Sequence, residues 1–484
     1  MDILEKYINE FNEADDENYT NYIDNEGALE WLRQEIPIFE CPDKDIERAY
    51  YFRWWTYRKH IKKADKGFAI SEFLLDVPWG DKYNVINAAS GHHLSEGKWL
   101  KNSKKYLEEY IDLLFSKDGG VDCHRYSSWI ISALVEYFEK VGYEGLTEGL
   151  FKKILWYYSE WERTHILPNG MFWSLDDRDA MEYSISGTDE NLNCLPGIRP
   201  TLNSYMCAEC YAISLLAKKL GKTDIEEQFK EKAEMLKEQI NQKLWKDGFY
   251  RAFHYKADYK EAFIEKHIPM EEIGYIPWMF NIPPKGREEV FKYLTDTEIF
   301  NAPTGITTAD MRDKRFLYKA DHECLWNGYV WPFATSQTLK AMINVIKNYG
   351  ATEYTESFVL LLSQYAKSHT KFNEDGTSVM WIDEVIHPFR QEWTSVTYLK
   401  EHNYPKAMGP EGRGKDYNHS TFCDLVISGL CGIEVRENGV SINPIISKEW
   451  DYFKLSNLSI KNEKYTFSYT KNNGITISKE NIAD

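Results

Sequence analysis

The chain has 484 residues, 58 of them basic and 76 acidic, which gives a formal net charge of −18 at pH 7. Such an acidic surface repels nucleic acid and anionic lipid over long range, and neither is expected as a partner. The first ten residues lack the basic end and apolar run of a secretory signal, and no stretch is apolar for long enough to span a bilayer. Eight cysteines are scattered without disulfide-scaffold spacing, so a cytoplasmic protein is expected.

In chain order, residues 129–141 and 146–161 are helical stretches separated by Gly142. Tyr211, Ile213, Leu215, Leu216 and Leu220 belong to a further helix that ends at Gly221. The next helix starts at Thr223 and places Phe229, Ala233, Leu236, Ile240 and Leu244 on one face by alternating four- and three-residue steps. Thr223 and Glu226 have the spacing of a capping box at its start. Residues 331–349 and 353–368, divided by Gly350, repeat the layout. Each pair is an αα-hairpin, and no fixed sequence period links them, which argues against a solenoid of identical repeats.

Longer connections follow the hairpins at 169–199, 301–328 and 373–420, and they are rich in aromatic and carboxylate residues. Short turns on one side and long loops on the other put the chemistry on the long-loop side. Cys207-Ala-Glu-Cys210 has the spacing of a redox or metal pair but lies in a helical stretch without a second pair or a nearby histidine, so it reads as packing. Near Gly432 the pattern changes to short alternating segments, a small antiparallel sheet that packs on the helical body. The expected division is 1–431 and 432–484.

The densest functional signal is His322-Glu-Cys-Leu-Trp-Asn-Gly-Tyr-Val-Trp-Pro332. Tryptophan faces cover the C–H surfaces of a sugar ring while carboxylates, amides and guanidinium groups fork onto its hydroxyls, so both types are needed in one cleft. The pattern points to a small carbohydrate ligand.

Five motifs sharpen this reading: Gly91-His-His-Leu-Ser-Glu-Gly-Lys-Trp-Leu100, Asp177-Arg-Asp-Ala-Met-Glu-Tyr-Ser184, Arg199-Pro-Thr-Leu-Asn-Ser-Tyr205, Trp326-Asn-Gly-Tyr-Val-Trp331 and Asp416-Tyr-Asn-His-Ser-Thr-Phe-Cys-Asp-Leu-Val426. With them, residues from about 51 to 453 resemble the mannosylglycerate-hydrolase-like branch of the six-hairpin glycosidases, related to glycoside hydrolase families 37 and 63. The resemblance implies an all-α-dominated (α/α)6 barrel with a small C-terminal antiparallel β appendage. It also implies inverting hydrolysis of a short oligosaccharide or sugar conjugate by an exo-acting enzyme without a metal or organic cofactor. Inversion requires a carboxylic acid to protonate the leaving oxygen and a carboxylate to activate water on the opposite face.

By the same resemblance Glu182 is the expected acid, with Asp177 and Asp179 as rivals; this chain has Glu where trehalase-like segments have Asp. Glu384, in Trp381-Ile-Asp-Glu-Val-Ile-His-Pro388, is the expected base, and Glu411 in the glycine-rich loop is the runner-up. Trp79, Trp326 and Trp331 are expected ring platforms. His92, His93, Asp177, Arg178, Asp179, Arg199, Asn327 and His419 are expected ligands of hydroxyl or carboxylate groups. Arg199 and Arg413 would favour an anionic aglycone such as glycerate, and residues 409–414 would form a mobile lid. Helical toroids also host lyases and epimerases, for which His92, His93, His322 or His419 would supply a base, and a non-catalytic sugar-binding protein is the third alternative.

Overall fold

Short turns between long amphipathic stretches force neighbouring helices antiparallel, and in the computed structural model such pairs close into a ring. Residues 2–116, 121–255, 262–263, 269–319, 322–402 and 412–481 are described. Helices α1 (Ile3–Ala14) and α2 (Asn25–Glu35) lie against α3 (Lys44–Lys59). From α3 onward, outer and inner segments alternate. The outer set is α3, α5 (Ser103–Leu114), α7 (Glu148–His165), α9 (Thr223–Gln239), the 3-10 helix Glu288–Thr295 and α12 (Thr355–Ser368). The inner set is α4 (Ser90–Gly97), α6 (Ile130–Val141), α8 (Pro200–Lys219), α10 (Ile276–Met279), α11 (Pro332–Asn344) and the π-helical Leu425–Leu430. This is the expected (α/α)6 barrel.

Inner helices pack in sequence: α4 on α6, α6 on α8, α8 on α10, α10 on α11, and α11 on Leu425–Leu430. Buried carboxylates reach across the ring to cap neighbouring helix starts, where backbone N–H groups have no partner within the helix. Glu209 of α8 accepts from the N–H groups of Ile131 (2.9 Å) and Ser132 (2.7 Å) at the start of α6. Glu96 of α4 accepts from Phe422, Cys423 (2.9 Å) and Asp424 (2.7 Å), which joins the last inner segment to the first.

The Thr223–Glu226 capping box does not form. Lys222 is the N-cap, Thr223 is already helical, and no side chain caps this end; the turn after Gly221 sets the start one residue earlier than the motif requires. Cys207 and Cys210 pack within α8, where the Cys210 thiol donates to the Tyr158 hydroxyl (2.8 Å).

The terminal sheet is antiparallel with four strands, in the order Ile38–Glu40, Tyr452–Ile460, Glu463–Thr470 and Gly474–Asn481. Its first strand comes from the segment between α2 and α3, so the C-terminal strands are hydrogen-bonded to the N-terminal part of the chain. Phe453, Leu455, Leu458, Ile460 and Phe467 carry the apolar core into the sheet. The short turns lie on one rim of the ring. The long connections gather on the other, at the N-terminal ends of the inner helices.

Candidate active site

A cavity of about 260 Å³ opens on the long-loop rim, and five of the long connections contribute to its wall. Glu72, Phe73 and Trp79 come from the connection between α3 and α4, Tyr126 from that before α6, and Asp177 to Tyr183 from that before α8. His322 to Trp331 precede α11, and Glu384, Arg413, Tyr417 and His419 come from the segment after α12. Residues distant in sequence converge because every inner helix starts at this rim.

The loop carrying Glu182 is held from behind by an ion cluster. Arg199, one residue before Pro200 opens α8, donates from Nε to Asp179 (2.6 Å) and from a terminal nitrogen to Asp176 (2.9 Å). Ser184 donates to Asp176 (2.7 Å), and Thr201 and Ser127 donate to Asp179 (2.6 and 3.2 Å). Arg199, Asp176 and Asp179 are fully buried, so the fork-shaped guanidinium fixes both ends of residues 176–184. Ala180 (φ 60°) and Tyr183 (φ 55°) take left-handed conformations on either side of Met181-Glu182. Side chains adopt that region at a cost, and here the clamp maintains it while Glu182 points into the cavity. Burial, with a contribution from Asp176, raises the Glu182 pKa to about 8. A carboxyl with that pKa keeps its proton at neutral pH.

Glu384 stands on a second anchored loop. Its own N–H donates to Asp383 (2.8 Å), and Ser395 donates to the same carboxyl (3.2 Å). Gly414 packs so closely that a Cβ there would lie 2.0 Å from Asp383 Oδ1. The neighbouring Arg413 donates to Glu384 (3.3 Å) and Glu323 (3.0 Å), and its guanidinium lies 5.1 Å from the centre of the Trp79 ring. Burial raises the Glu384 pKa on balance, with the Arg413 charge opposing the shift. Glu323 is held below its ordinary value despite burial, because His322 and Arg413 favour its ionised form.

A further carboxyl, Glu72, lies in the same wall. Tyr417 donates to its Oε1, and its Oε2 has no hydrogen-bond partner among the described residues. Burial raises its pKa to about 8, with Glu384 and Glu182 adding to the shift, so the three carboxyls share one field.

Over residues 82–420 the sequence matches the family described as the mannosylglycerate hydrolase MGH1-like glycoside hydrolase domain. The chain belongs to this family. A solved structure named sialidase is 34% identical, has a TM-score of 0.86 and covers 98% of this chain, while 42% of that chain is covered. The GH63 mannosylglycerate hydrolase of Thermus thermophilus, in complex with glucose, shares the fold at 12% identity and a TM-score of 0.51, over 73% of this chain and 99% of its own. The GH78 rhamnosidase of Bacillus sp. GL1 does so at 13% identity and a TM-score of 0.56, over 92% of this chain and 41% of its own. An uncharacterized protein of Borreliella burgdorferi is 32% identical over 118 residues, 24% of this chain and 23% of that one. The chain thus spans less than half the length of the sialidase chain, and its match to the Borreliella protein covers under a quarter of that protein.

In this glycoside hydrolase domain the expected site residues divide. Glu182, Glu384, Asp177, Arg178, Trp79, Trp326, Trp331, Arg413 and His419 line the cavity. Asp179 and Arg199 do not: they neutralise each other behind the loop that carries Glu182, where neither can meet a sugar. His93 is buried between the Tyr110 hydroxyl (2.7 Å) and the Asn418 carbonyl (2.6 Å), and burial lowers its pKa to about 4. His92 packs edge-on against Trp129 and Phe333 and faces a separate cavity inside the ring. Both histidines sit on α4, whose tight packing turns every residue inward. Asn327 donates to the Tyr318 carbonyl (2.8 Å) and staples its own loop.

Trp326 and Trp331 stack on each other at 4.1 Å, so each presents at most one face to a ligand. Trp79, which is less buried, remains available as a platform. Glu411 and residues 409–411 of the expected lid lie outside the described residues. Of the remainder, Arg413 is paired with Glu323 (3.0 Å) and Glu384 (3.3 Å), and just beyond the segment Lys415 bonds Asp15 (2.7 Å) and Asp16 (2.6 Å) and Asp416 bonds Lys59 (2.6 Å). Glu72, Glu323 and Tyr417 were not among the expected site residues. Glu323 and Tyr417 lie within the aromatic and carboxylate motifs of the sequence, whereas Glu72 has no sequence signal beyond a carboxylate set among apolar neighbours.

Proposed function

We propose that the chain is an inverting, exo-acting glycoside hydrolase for a short oligosaccharide or sugar conjugate, with Glu182 as general acid and Glu384 as general base. The observation that carries this reading is the convergence, in one cavity of a glycoside hydrolase domain, of Glu182, whose pKa burial raises to about 8, and Glu384, which is paired with Arg413. Glu182 would protonate the leaving oxygen. Glu384 would take a proton from the attacking water, with the Arg413 charge beside it favouring its ionised form. Trp79 would cover one sugar face, with Asp177, Arg178 and Glu72 directed at hydroxyls. His92 and His93, two of the bases a lyase could have used, face away from the cavity, which weakens that alternative. We assign the enzyme to the cytoplasm, a compartment that keeps eight unpaired thiols reduced.

The test is hydrolysis of a panel of short glycosides followed by NMR of the first-formed product. An anomeric configuration opposite to the substrate's is expected. Retained configuration, or an unsaturated product absorbing in the near ultraviolet, would refute the assignment.

A further inference from the structure

Resting on the hydrolase reading and deepening it, we infer that this site takes an uncharged polyhydroxy sugar with an uncharged aglycone and rejects carboxylate-bearing substrates. The argument starts from the fate of Arg413. A guanidinium that recognises a ligand carboxylate needs a free fork of two N–H groups. Arg413 is nine-tenths or more buried and already donates to Glu323 at 3.0 Å and Glu384 at 3.3 Å, with Trp79 against its face. Its charge is committed to the two carboxylates of its own protein. Arg199, the other guanidinium that could have bound an acid, is enclosed behind the loop with Asp176 and Asp179.

The rest of the wall has the same character. Five carboxyl groups line the cavity, from Glu72, Asp177, Glu182, Glu323 and Glu384, against two guanidinium groups, from Arg178 and Arg413. The two histidines in the wall are poor carriers of positive charge: burial holds the pKa of His322 below its ordinary value, and that of His419 well below it. Arg178 is half exposed, and its nearest carboxylate is Asp177 at 3.8 Å. Glu72 Oε2 and Asp177 Oδ1 are buried atoms without a hydrogen-bond partner among the described residues.

A sugar hydroxyl both donates and accepts, so it satisfies either atom in either protonation state. A carboxylate only accepts, and it would bring a negative charge into a poorly solvated wall where five carboxyl groups face two guanidinium groups.

Glu182→Gln allows binding to be read without turnover. It would be titrated, following tryptophan fluorescence, with matched pairs: an alkyl hexoside and the corresponding hexuronide, and a hexosylglycerol and the corresponding hexosylglycerate. Wild type would be assayed on the same pairs. In the pair that binds, the neutral member is expected to bind roughly 100-fold more tightly, the scale of an uncompensated like-charge contact. In Glu323→Gln, which removes one of the two negative charges that Arg413 neutralises, the gap is expected to narrow about tenfold.

Equal or tighter binding of the acidic member would overturn the proposal, as would failure of every neutral member to bind. An acidic preference abolished by Arg178→Ala would overturn it too and would identify Arg178 as the anchor. Selective binding of neutral members without wild-type hydrolysis would uphold the charge selectivity while refuting the hydrolase reading.

Discussion

Glu182→Gln separates the proton on this side chain from its volume. The amide fills the space of the carboxyl and can still accept the hydrogen bond that the Cys324 side chain makes to Glu182, but it cannot protonate a leaving group. With its pKa near 8, about nine-tenths of Glu182 is protonated at pH 7, against about 0.3% for a carboxyl at the ordinary value of 4.5. The cavity therefore raises the competent fraction by roughly 300-fold. Loss of a general acid costs on the order of 10²- to 10⁴-fold in rate, or about 3 to 5 kcal/mol of transition-state stabilisation.

The assay compares kcat/KM of wild type and variant on a glycoside with an alkoxide leaving group and on its aryl counterpart. The variant is expected to lose the full factor on the alkyl glycoside and much less on the aryl glycoside, which departs with little protonation. In wild type the alkaline limb should bend near pH 8 and fall tenfold per pH unit above it; in the variant this bend should vanish. Full alkyl-glycoside activity in the variant, or an unchanged alkaline limb, would refute the assignment.

Two other outcomes follow from the same structure. Arg199→Met leaves Asp176 and Asp179 buried without their cation, and it should lower unfolding stability by roughly 3 to 5 kcal/mol; a denaturant midpoint equivalent to under 1 kcal/mol of loss would show that the clamp is not structural. Glu72 has a folded-state pKa near 8, above its ordinary 4.5, so the folded chain holds a proton that the unfolded chain releases between those values. Its contribution to stability is full below pH 4.5 and is lost as pH rises from there through 8, so the melting temperature should fall over that window in wild type, and Glu72→Gln should flatten the decline.

The helical hairpins were legible because an outer helix buries one face, and burial on one face imposes the 3.6-residue apolar rhythm that marks α7, α9 and α12. Glu182 and Glu384 were singled out by the resemblance of the motifs around them, and the structure places both in the wall of one cavity. What stayed hidden depended on contacts between distant parts of the chain. Arg199 and Arg413 are the same residue type in equally suggestive motifs, but one is walled in by Asp176 and Asp179 and the other reaches the cavity between Glu323 and Glu384. Glu72 belongs to the site because Tyr417, 345 residues later, folds onto it.

Sequence by itself thus determined the helical hairpins, since periodicity and turn chemistry act between near neighbours along the chain, while the closed ring and the candidates Glu182 and Glu384 came from the resemblance of its motifs to a family. Only the tertiary structure decided which charges remain available to a ligand, because a side chain's charge is cancelled or left open by whatever the closed ring brings against it, and ring closure joins residues from opposite ends of the chain.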